Sequence, residues 1–175
     1  MRVERRGMAT EPGRVAPAAL IEDGEYSDER YIDMMAAHHR AAIEMAKVAR
    51  QNGEHQEIRQ LAEKEISDQQ GEVEELSSIK QRMFGTPEVA TERNPVDSSR
   101  FAMMTPDELA SQSPFDRAFI DSNIPHHAFA IELASVALRQ SEEPGIRSLS
   151  RNIVDAQSQE VGKMIAWRGE WYPEG

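Results

Sequence analysis

The chain has 175 residues and a mass of 19.7 kDa, enough for one ordinary domain and too little for two large ones. It contains no cysteine, which removes disulfides, thiolate nucleophiles, iron–sulfur clusters, cysteine-rich zinc sites and c-type haem attachment. A formal net charge of −11 sets its averaged field against nucleic acid and anionic membrane, and in favour of a cation or a basic partner.

Residues 1 to about 26 mix arginine, proline, glycine and acidic side chains with no apolar period, the composition of a flexible tail. No apolar stretch of the export-signal type follows its arginines, which points toward a cytoplasmic location for the chain as written without fixing the compartment. Nor does any segment approach the roughly 18 to 20 consecutive apolar residues of a membrane span. Order is expected from Ser27, which can cap a helix whose first turn carries Asp28 and Glu29. Asn52-Gly53 stops that helix. A second helical period runs from Gln56 through Ile58, Leu61, Ala62, Ile66, Val73, Leu76 and Ile79 to Met83, and Gly85 with Pro87 ends it. The two helices read as an antiparallel hairpin.

Residues 84–113 form a crossover with one short helix candidate, Thr105-Pro106-Asp107-Glu108-Leu109, with threonine as cap and proline at the first position. Helical spacing resumes at Ser113-Pro114 and runs to about Ser141, with Pro125 inside, where a bend near Asp121 and Ser122 is expected. Pro144-Gly145 separates a last helix carrying Ile146, Leu149, Ile153, Val161, Met164 and Trp167. No alternating run marks a strand.

Sliding the chain against itself by 88 residues aligns its two halves without a gap. Asp33 falls on Asp121, His38-His39 on His126-His127, Ala42-Ile43-Glu44 on Ala130-Ile131-Glu132, and Ile58-Arg59 on Ile146-Arg147. Gln69 and Glu72-Val73 fall on Gln157 and Glu160-Val161. The chain therefore reads as an all-α protein of two repeated helical hairpins, 27–83 and 114–172, in a single domain over 27–175. Each hairpin has one apolar face, and two such faces bury each other best as a four-helix bundle.

Rotation of about 100° per residue places Ile32, Met35, His39, Ala42, Ile43 and Ala46 on one helix face. His38 lies on the flank shared with Met34 and Met45. On the second helix, Glu65, Gln69 and Glu72 occupy the same face as Ile58, Leu61 and Leu76. A buried carboxylate needs a partner, so His39 is expected to meet Glu72 and His127 to meet Glu160 in the interior. Such a set serves either a metal ion or a purely structural hydrogen-bond network. Imidazole with thioether suits Cu(I), and imidazole with carboxylate suits Zn(II) or Cu(II).

Lesser features have plainer readings. His55 has no histidine counterpart, since Glu143 stands at its repeat position, and it reads as a solvated turn residue. Met103-Met104 read as packing under the crossover, Trp167 and Trp171-Tyr172 as a seal on the bundle end, and the acidic residues from Glu22 to Glu29 as a solvated stretch leading into the first helix.

The segments YIDMMAAHHRAAIEMAKVA (31–49) and FDRAFIDSNIPHHAFAIELASVAL (115–138), with the Gln-x-x-Glu pairs and the closing Trp-x-x-x-Trp, resemble domain of unknown function family 305 over about residues 27–172. The resemblance implies a ferritin-like four-helix bundle, often in exported bacterial proteins, some of them copper-binding. It places Met34 or Met35, His38, His39 and Met45 in the first copy and His126 and His127 in the second. Ser122, Asn123 and Leu133 stand where the first copy has Met34, Met35 and Met45, which argues against a symmetric His/Met site. The candidate metal ligands are thus His38, His39, His126, His127, Met34, Met35, Met45, Glu72 and Glu160, for copper, with zinc or no metal as alternatives. The competing function is a structural or partner-binding module whose His/Glu/Gln network holds no metal. An enzyme is not expected: no Glu-x-x-His, zincin, phosphate-loop or nucleophile-elbow pattern is present.

Overall fold

Ser27 opens the first helix as its spacing predicts, its side chain accepting a hydrogen bond from the Arg30 amide at 3.3 Å. The structure, a computed structural model, describes residues 20–91 and 104–174. The tail up to residue 19 and Met103 lie outside the described residues. The helices are α1 (Asp28–Asn52), α2 (Gln56–Phe84), α3 (Pro106–Ala110), α4 (Phe115–Gln140) and α5 (Pro144–Trp171). The caps follow the chain chemistry. Gly85 ends α2 in the left-handed conformation at φ 78°, and Thr105 and Glu108 form a reciprocal capping box on α3. Helix α4 is continuous through Pro125.

Order begins before Ser27. Strands β1 (Ile21–Glu22) and β2 (Glu25–Tyr26) pair antiparallel, turning at Asp23 and Gly24, whose φ values of 51° and 83° are both positive. That is the Asp-Gly hairpin turn; strands of two residues are too short to show alternation in the sequence. The hairpin tucks Leu20 fully into the core, so this part of the expected tail is an anchored turn. Gly53 stops α1 as expected, though at φ −54° and not in the left-handed conformation. Close approach explains the glycine: a Cβ there would stand 2.8 Å from the Ala49 carbonyl oxygen.

Helices α1 and α2 pack as one hairpin and α4 and α5 as another. Their apolar side chains form two clusters. One joins Ile32, Met34 and Met35 of α1 to Leu76 and Ile79 of α2, Phe129 and Leu133 of α4, and Leu149 and Ile153 of α5. The other joins Met45 and Ala49 to Ile58 and Leu61, Phe119 and Ile120, and Met164. Each cluster takes the start of one helix and the end of the next, so the clusters fill opposite ends of the bundle. Between them lie His38, His39, Glu65, Gln69, His126, His127, Gln157 and Glu160, all buried. A polar layer thus divides the core.

The described ends of the crossover pack at opposite ends of the bundle. Val89 joins the first cluster, while Leu109 of α3 and half-buried Met104 join the second. Contacts recur at the 88-residue offset. Lys80 reaches Asp33 at 2.8 Å and Arg168 reaches Asp121 at 2.7 Å; Arg59 donates to the Gly53 carbonyl and Arg147 to the Ser141 carbonyl at 3.2 Å.

Candidate metal centre

Consecutive histidines on a helix diverge by about 100°, so each His-His pair sends one ring toward the other hairpin and one toward its own. His38 and His126 meet across the bundle, their rings stacked with centroids 3.5 Å apart and planes 14° from parallel. Phe129 covers the His38 ring at 5.6 Å. His39 and His127 turn to the glutamates of their own hairpins.

Both expected pairs form. His39 Nε2 stands 2.7 Å from Glu72 Oε2 and His127 Nε2 stands 2.9 Å from Glu160 Oε2. Their surroundings differ. Glu72 sits at the rim with 17% of its side chain exposed, whereas Glu160 is buried and its Oε1 accepts from Lys64 Nζ at 2.9 Å. His127 has a second carboxylate, with Glu65 Oε1 3.3 Å from Nε2. Asn123 Nδ2 donates to that same Glu65 oxygen at 2.7 Å. Burial alone would lower the His127 pKa, but hydrogen bonds to Glu160 and Glu65 and their charges outweigh it and push it up to about 9. Burial likewise opposes ionisation of Glu160, and His127 with Lys64 prevails, holding its carboxyl below the usual value. At neutral pH His127 is thus an imidazolium held against the Glu160 carboxylate.

Ligand atoms of Glu65, His127 and Glu160 lie within 4.8 Å of one another. Glu65 Oε2, His127 Nδ1, His39 Nδ1 and the side-chain oxygens of Gln69 and Gln157 are buried without a hydrogen-bond partner among the described residues. Buried polar atoms are rarely left so, and here they concentrate in one layer.

Of the expected thioethers, Met34 and Met35 are buried in the first cluster and Met45 in the second. Met34 and Met45 are eleven residues apart on α1, roughly 16 Å along the axis, so one ion cannot draw on both. Each of Met34 and Met35 stands one turn from a histidine, at His38 and His39. Sequence reasoning placed Glu65 on the buried face of α2 without a partner. It read Asn123 only as a lost methionine, although asparagine in the core phase is itself a signal of a polar partner. His55 is also more than a turn residue: its Nδ1 stands 2.7 Å from buried Asp116, and its ring stacks on Trp171 at 3.7 Å.

A family profile described as "Domain of unknown function (DUF305)" matches residues 28–168. The chain belongs to the DUF305 family. Among solved structures, this DUF305 chain is similar to CopM in the Cu(II)-bound form, at 36% identity over 85% of this chain and 99% of that one, with a TM-score of 0.78. CopM in the Ag-bound form obtained by soaking is 35% identical over 85% of this chain and 98% of that one, with a TM-score of 0.72. A DUF305 fragment from Deinococcus radiodurans shares the fold at 20% identity, covering 83% of this chain and 99% of that one, with a TM-score of 0.72. No curated protein is significantly similar in sequence. The all-α bundle is thus the fold of the family, as the resemblance implied.

Proposed function

We propose that this DUF305 chain binds copper at the polar layer, through His38, His39 and His126 with the thioethers of Met34 and Met35. The observation that carries the proposal is the buried His38–His126 stack with two buried thioethers one helical turn from His38 and His39. Imidazole and thioether together favour Cu(I) where no thiolate is available. Glu72 against His39 Nε2 fixes that ring and leaves Nδ1 as the nitrogen free to donate, the usual role of a carboxylate behind a metal-binding imidazole. The likeness to CopM, solved in Cu(II)- and Cu(I)-bound forms, supports the same reading. We read the bundle as a duplicated, ferritin-like pair of hairpins with the site at the join.

Competitive titration of untagged protein with Cu(I) tests this. Replacing Met34 and Met35 with leucine roughly keeps their volume and should weaken Cu(I) at least tenfold, while Met45→Leu has a smaller effect. An unchanged affinity in the folded double variant would remove the thioethers from the site, and a parent protein that takes up no Cu(I) would favour the metal-free network. That alternative draws support from the hydrogen-bonded chain Lys64–Glu160–His127.

A further inference from the structure

The two halves of the polar layer are not equivalent, and the difference is chemical. The 88-residue offset that carries His39 and Glu72 onto His127 and Glu160 also carries Met35 onto Asn123, Leu76 onto Met164, and Glu65 onto Ile153. In the first copy the His–Glu pair therefore has the apolar neighbours Met35, Leu76 and Ile153, all in one cluster. In the second it has Glu65 and Asn123, bonded to each other at 2.7 Å. The isoleucine position has become a carboxylate and the methionine position a carboxamide that orients it.

We propose that Glu65, His127 and Glu160 form a second metal site, built from nitrogen and oxygen, for a divalent cation of the zinc type. It is separate from the sulfur-bearing site of the first copy and does not depend on the copper reading. Around a four-coordinate ion with bonds of about 2.0–2.1 Å, ligand atoms stand roughly 3.3 Å apart. His127 Nε2 lies 2.9 Å from Glu160 Oε2 and 3.3 Å from Glu65 Oε1. Glu65 is 2% exposed, yet its Oε2 has no hydrogen-bond partner among the described residues, so a purely structural network would waste it. Two carboxylates and an imidazole match a divalent charge, and none of the three offers the soft sulfur that Cu(I) prefers. The nearby thioether, Met164 Sδ, accepts from Asn123 Nδ2 at 3.7 Å. Lys64 holds Glu160 Oε1 and turns Oε2 inward. A groove of about 280 Å³, lined by Lys64, Asn152, Asp155, Gln159 and Lys163 among others, opens beside Glu160.

The test is a Zn(II) titration of the untagged full chain beside a Cu(I) titration, with helix content followed by circular dichroism. Glu65→Gln keeps the shape and an acceptor for Asn123, and Glu65→Ile installs the residue of the other copy. Both should weaken Zn(II) at least tenfold and leave Cu(I) unchanged, whereas Met34→Leu/Met35→Leu should do the reverse. In the unsubstituted protein one equivalent of Zn(II) should shift the 15N resonances of the His127 ring. Zn(II) binding that survives Glu65→Gln in the folded protein, or His127 resonances that stay put on adding Zn(II), would overturn the second site and leave the copper proposal standing.

Discussion

Asp116 sits with none of its surface exposed and accepts three hydrogen bonds, from the Glu54 and His55 amides at 2.8 and 2.7 Å and from His55 Nδ1. Those amides lie in the turn just ahead of α2, so a carboxylate 61 residues away from His55 fixes the entry to that helix. Asp116→Ala would strand both amides and should lower the unfolding free energy by about 2–4 kcal/mol, measured by chemical denaturation. A loss below about 1 kcal/mol would mean water replaces the carboxylate. His127 makes a prediction of opposite form. Its pKa rises from 6.5 to about 9 on folding, so its stabilisation is fully present below pH 6.5 and is lost as pH climbs through 9. In a metal-free, chelator-containing buffer, stability should fall between these values, and His127→Gln should flatten that part of the profile. Parallel profiles for the two proteins would contradict the pairing.

Elements were legible where the information is local. Ser27, Gly85, the Thr105–Glu108 box and the apolar spacing marked their helices because caps and periodicity act within a few residues. The Leu20–Tyr26 hairpin was not legible, since its pairing is two residues long and its anchor is a single buried leucine. The site divides in the same way. Helical phase put His39, Glu72, His127 and Glu160 inside, and the repeat paired them. Phase tells which face a residue occupies and not which helix lies opposite, so neither the His38–His126 stack nor the reach of Glu65 into the other hairpin could be read from it. The recurring ion pairs show how one repeated contact acquires different weight. The side chains of Lys80 and Asp33 are 7% and 31% exposed, against 19% and 45% for Arg168 and Asp121. Lys80→Ala should therefore cost about 2 kcal/mol by leaving Asp33 short of its counter-charge. Asp121→Ala should cost under about 1 kcal/mol. Equal losses in denaturant titrations would refute that ranking.

At the scale of the whole molecule, two apolar cores separated by a polar layer are a costly arrangement, because each buried donor or acceptor left without a partner gives up its hydration. A fold selected for stability alone would join the cores. The first copy shows what an apolar solution looks like at the same positions, with Ile153 and Met35 fully buried where the second half of the layer has Glu65 and Asn123. Replacing a buried polar group by an apolar one of fitting shape is commonly neutral or stabilising by about 1–4 kcal/mol. The double variant Glu65→Ile/Asn123→Met, which writes the first copy's chemistry into the second, should therefore match or exceed the parent in metal-free unfolding free energy. It should at the same time lose the Zn(II) response, with His127 still held by Glu160 as His39 is by Glu72. A fall of more than about 2 kcal/mol in the metal-free variant would mean that the layer knits the hairpins together, and that its carboxylates are there for the fold. Retained stability with lost Zn(II) binding would assign the layer's polar residues to the ion.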